Sequence, residues 1–105
     1  MRTASPDFTL QENLDILHSW LDFLQKEAES VNVQTYLQSE LQLLERYVLN
    51  ESNIDLIRAG ILVIIRQTEK LATLLEKDNL GDTFLTERPM NNRILKTCDV
   101  ILLYC

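Results

Sequence analysis

Residues 10–28 read LQENLDILHSWLDFLQKEA, and the spacing of their apolar positions decides the fold. Leu10, Leu14, Leu17, Leu21, Leu24 and Ala28 follow one another in alternating steps of four and three. One face of an α-helix has that period; a half-buried strand has a period of two. Thr9 stands before the run and Glu12 three residues later, a capping box that starts the helix near residue 9. We expect this first helix over 9–29.

The same spacing continues down the chain. Ser30-Val31-Asn32 interrupts it, with Asn32 as the expected N-cap. A second helix then runs to about Leu49, its inner face Val33, Leu37, Leu41, Leu44 and Val48, widened by Tyr36, Leu43 and Tyr47. A connection this short makes the first two helices antiparallel neighbours. Asn50-Glu51-Ser52-Asn53 is the next break, with Ser52 as cap and Asp55 in the first turn, where acids suit the helix dipole. The third helix, 53–78, carries Ile54, Ile57, Ile61, Ile64, Thr68, Leu71 and Leu75 along one seam. Leu56, Leu62 and Val63 add apolar groups on its other side. A helix apolar nearly all round is normally central, and we expect that of this one. Gly60 costs about 1 kcal/mol relative to Ala unless it admits a close neighbour.

Gly81 and Pro89 read as punctuation, so residues 78–91 are expected as a loop pinned by Phe84 and Leu85. A last helix from about Asn91 presents Ile94, Cys98, Ile101 and Cys105. Residues 1–8 are expected as a flexible arm. The apolar ending Ile101-Leu102-Leu103-Tyr104-Cys105 must be docked, or the chain is a piece of something longer. The whole predicts a single all-α domain, a compact four-helix bundle. A short armadillo- or HEAT-like stack is the alternative, although two such units alone leave their stacking faces bare.

Bulk composition agrees. The chain has 105 residues, 46% hydrophobic and 25% charged, with only two Gly and two Pro. That is enough chain to bury a real core without a metal or a disulfide. The net charge of −6 and the lack of a basic stripe argue against a nucleic-acid partner. No secretory signal and no apolar run of membrane-spanning length are visible, so we expect no membrane partner and a cytoplasmic or nuclear location. Asn50-Glu51-Ser52 matches a glycosylation acceptor by chance on that reading.

Chemistry-bearing motifs are scarce. The single histidine, His18, lies at the edge of the polar face near Asp15 and Asp22, with no nucleophile placed beside it. Cys98 and Cys105, seven apart, are too far along a helix to bridge and read as buried thiols. Inward Glu-x-x-His pairs and Gly-rich phosphate loops are missing, so no metal, cofactor or catalytic residue is expected. Leu71-Ala72-Thr73-Leu74-Leu75 matches a groove-docking LxxLL pattern, but its leucines lie on the core seam.

Two surfaces stand out. Ile16, Trp20 and Phe23 widen the apolar arc of the first helix to about half its circumference. One neighbouring helix cannot cover that arc. Either the helix lies between two others, or the edge is exposed for another protein or a second copy of the chain, since aromatic clusters mark binding hot spots. Asp15, Asp22 and Glu29 form an acidic row beside it that could guide a basic partner. These six residues are the expected partner-binding set. The function that follows is a non-catalytic protein–protein interaction module: an adaptor, regulatory subunit or assembly factor. The alternatives are a structural domain of a larger protein or obligate homo-oligomer, and a small acidic inhibitor.

Overall fold

The computed structural model describes the backbone of residues 2–28, 31–77 and 81–105, and their side chains except for 72–91. Four helices make up the described residues: α1 (Leu10–Glu27), α2 (Val31–Tyr47), α3 (Ile54–Lys77) and α4 (Gly81–Leu102). Helix α1 starts as its sequence dictates. The Thr9 hydroxyl accepts from the Glu12 N–H and the Glu12 carboxylate accepts from the Thr9 N–H, both at 3.1 Å. These backbone and side-chain bonds to Thr9, helped by Arg2, hold the Glu12 carboxyl below the usual glutamate range.

Consecutive helices pack side by side and α4 returns to α1, which leaves α1 diagonal to α3 and α2 diagonal to α4. This is an up-and-down four-helix bundle rather than a stack of helical repeats. Leu17, Leu21, Leu37, Leu44, Ile61, Ile64, Ile94 and Ile101 are sealed from solvent at its centre. Among the described residues no helix is long and apolar enough to cross a membrane.

Five local expectations are corrected. Helix α3 is a corner of the square rather than its centre, so Leu56, Leu62 and Val63 point outward and remain exposed. Helix α4 begins at Gly81, so the loop expected over 78–91 is largely helix. Pro89 removes one backbone donor and strains one turn, but good helix formers such as Leu85, Glu87, Arg88 and Met90 surround it. Phe84 and Leu85, expected to pin the loop, lie outside the described side chains, as do Leu74 and Leu75 of the LxxLL pattern. At the start of α3 the cap is Asn53, whose Oδ1 accepts from the Asp55 N–H at 2.9 Å. Ser52 instead donates its N–H to Glu51. Asn32, expected as a cap, lies inside the first turn of α2.

The fifth correction concerns the expected flexible arm 1–8, of which residues 2–8 are described. They are tied down at both ends. The buried Asn13 side chain accepts from the Ser5 N–H at 3.0 Å and donates to the Ser5 carbonyl at 2.9 Å. From the end of α4, the Tyr104 hydroxyl reaches the Pro6 carbonyl at 2.7 Å and the Phe8 carbonyl beside it. The apolar C-terminal segment is thereby docked, although Leu103 stays exposed. Of the two free thiols, Cys98 is fully buried and Cys105 only half-buried.

Candidate interaction surface

The apolar side chains of the α1 edge are largely buried, although Trp20 and Ile16 each border a surface pocket. Ile16 and Trp20 are buried, at 4% and 6% exposure. The Trp20 indole N–H donates to the Arg2 carbonyl at 3.1 Å, the Arg93 guanidinium sits 5.1 Å above its ring, and Phe23 meets it edge-on. Because α1 is a corner helix, its wide apolar arc is shared between α2, α4 and the N-terminal segment. Only Phe23 keeps an exposed flank. Ile16 and Trp20 are thus packed into the fold rather than fully exposed.

The acidic row is also partly engaged. Asp22 pairs with Lys26 at 2.9 Å, and Asp15 accepts from Gln11 at 3.1 Å. Glu29 lies outside the described residues. His18 stands near the surface, where its Nε2 meets the Glu45 carboxylate at 2.8 Å and ties α1 to α2. Among the described residues no group of three His, Cys, Asp or Glu side chains could hold a metal ion.

A titratable cluster lies inside the bundle instead. Glu40 of α2 is fully buried, and Thr68 of α3 donates to its Oε1 at 3.1 Å. Burial pushes the Glu40 carboxyl up to about 8, against a smaller opposing effect of the Thr68 hydrogen bond. The same interior drives the Cys98 thiol far above its ordinary range, first by burial and then through Glu40 and Asp99. A protonated acid and a protonated thiol with no path to solvent are core groups; a reactive thiol needs thiolate character and access.

The open apolar surface is on the other side of the molecule, where α2 runs into α3. Gly60 makes this junction close: a Cβ there would sit 2.5 Å from the Val48 Cγ2. The Val48 side chain, just past the end of α2, packs into the space left by Gly60. Leu43 and Tyr47 from α2, with Leu56, Ala59 and Val63 from α3, line a shallow groove of about 260 Å³, with Glu51 at its end. Tyr47 is 63% exposed and Leu56 53%, and the exposed face continues along α3 to Leu62. Burying such groups is worth about 25 cal/mol per Å² removed from water. Contiguous apolar area left open on a folded domain marks a contact site.

The helical period signals this surface only indirectly. Leu56, Leu62 and Val63 stand out in the sequence as excess apolar groups, but the same excess describes a central helix. Only the square arrangement separates the two. Comparison with known proteins matches the chain to no family model, no curated protein and no solved structure.

Proposed function

We propose that the chain is a non-catalytic protein-interaction module, an adaptor, regulatory subunit or assembly factor, whose docking surface is the α2–α3 outer face. What supports the reading is the exposed apolar row of Tyr47, Leu56, Leu62 and Val63 around a formed groove. Recognition by the α1 edge is not carried forward, because its largest anchor, Trp20, is already committed to the fold. The charged groups of the molecule are assigned to steering and solubility rather than to chemistry.

The test is a pair of surface variants, Leu56→Asp and Val63→Asp. Both positions are exposed, so folding stability should change by no more than about 0.5 kcal/mol. Association with the physiological partner should fall by tenfold or more, the loss expected for an apolar anchor worth about 1.4 kcal/mol or above. Unchanged association in both variants contradicts the reading.

A further inference from the structure

We infer that the outer face of α3 is a two-fold, antiparallel contact surface for a second copy of this chain. The inference rests on the interaction reading above and names its partner. Asp55, Ala59, Leu62 and Arg66 are all exposed, and at about 100° per residue they fall within roughly 60° of one another around the helix. Their spacing alternates four and three, the seam by which two helices pack at a shallow angle. Lys70 lies one turn further on the same side, and Glu51 stands just before the helix.

The order of charges along this stripe selects the occupant. The acid Asp55 stands at its N-terminal end and the base Arg66 at its C-terminal end, with Glu69 and Lys70 flanking the stripe on either side beyond Arg66. Placing a second α3 antiparallel, with the two-fold axis between Gly60 and Ile61, sets Asp55 opposite Arg66 of the other copy. That pair occurs twice. In the middle, Leu62 of each chain lies against the small Ala59 of the other, a large-into-small fit. A parallel pairing sets Asp55 on Asp55 and Arg66 on Arg66, so like charges exclude it. Among the described residues the Asp55, Arg66 and Lys70 side chains have no ion-pair partner within the chain. The same patch meeting itself is the isologous geometry of a C2 dimer.

A contact made chiefly by one helix from each copy is small, so the dimer is a weak one, with Kd on the order of 10 μM. Sedimentation equilibrium of the full chain from about 1 μM to about 1 mM reads it directly. Wild type should fit a monomer–dimer equilibrium. Asp55→Arg alone and Arg66→Glu alone each place like charges in both pairs, and each should weaken association by about tenfold or more. Mixing the two variants should restore it, because in the mixed dimer both pairs are complementary again. Recovery on mixing also shows that each variant is folded.

A wild type that stays monomeric at about 1 mM overturns the inference, and so does a mixture that associates no better than its components. These outcomes are separable from failure of the docking reading. If wild type is monomeric while the Leu56→Asp and Val63→Asp variants still lose a different partner protein, the face docks another protein and the second copy is wrong. If those variants lose nothing, both readings fall.

Discussion

The Thr68 hydroxyl, on α3, donates to the Glu40 carboxyl, on α2, at 3.1 Å, with both residues fully buried. This contact, with the second Glu40 oxygen at 3.4 Å, joins two helices through a group that the interior holds in its protonated form. Unfolding returns Glu40 to water and to a value near 4.5, against about 8 in the fold. A group raised in the folded state contributes its full stability below the unfolded value and loses it as pH climbs toward the folded one. Stability should therefore fall by about 1.4 kcal/mol per pH unit between about 5 and 7.5 from this group alone, then level off above about 8. Glu40→Gln, neutral at every pH, should remove that slope. Measured by urea unfolding, the variant should gain about 3 kcal/mol on wild type between pH 4.5 and neutrality. An unchanged slope contradicts the assignment.

Thr68→Val should leave the Glu40 carboxyl buried without its donor and cost about 1–3 kcal/mol. The double variant Glu40→Leu/Thr68→Val should recover much of that loss, because removing both polar partners of a buried pair is often nearly neutral. A double variant as unstable as the sum of the singles shows that the two residues do not act as a pair.

Trp20→Ala should behave as a core substitution. It should cost about 3–5 kcal/mol, and Trp20 emission in wild type should be blue-shifted. Removing residues 2–8 should shift that emission to the red, because the Arg2 carbonyl and the segment around it cover the indole. Asn13→Ala, which cuts both bonds to Ser5, should give a smaller red shift and faster proteolysis within 2–8. Emission unmoved by the deletion means that the segment does not shield the ring.

Gly60→Ala should destabilise, although alanine is the better helix former by about 1 kcal/mol. The new methyl group meets the stiff, β-branched Val48 at 2.5 Å, and relieving such overpacking costs about 1–3 kcal/mol. In a Val48→Ala background the same change should turn neutral or favourable. Equal effects in both backgrounds contradict a close α2–α3 approach.

The four-helix architecture was legible because the four-and-three spacing is a local property, repeated along α1, α2 and α3. The buried Ile61 and Ile64 follow from the same rule. What the spacing hides is which polar residues share a seam. Glu40 completes Val33, Leu37 and Leu44 at helical intervals, and Asn13 does the same with Leu17, Trp20 and Leu24. Polarity alone sends both to the surface, yet geometry buries them. The same holds for the surface. Trp20 and Leu62 are both apolar groups beyond the main seam, and period alone does not say which one has a neighbour. The N-terminal segment covers the first through backbone carbonyls, which carry no side-chain signal. Among the described residues no such segment crosses the outer face of α3, and the second is left bare.

The proposed docking surface is the α2–α3 outer face and not the α1 edge. A photo-activated cross-linking residue placed at Val63, and separately at the exposed Ser19 of α1, reads this directly. Irradiation should give one discrete adduct from position 63, with a second copy of the chain as its expected component, and none from position 19. The absence of any adduct from position 63, or the same adducts from both positions, contradicts the claim.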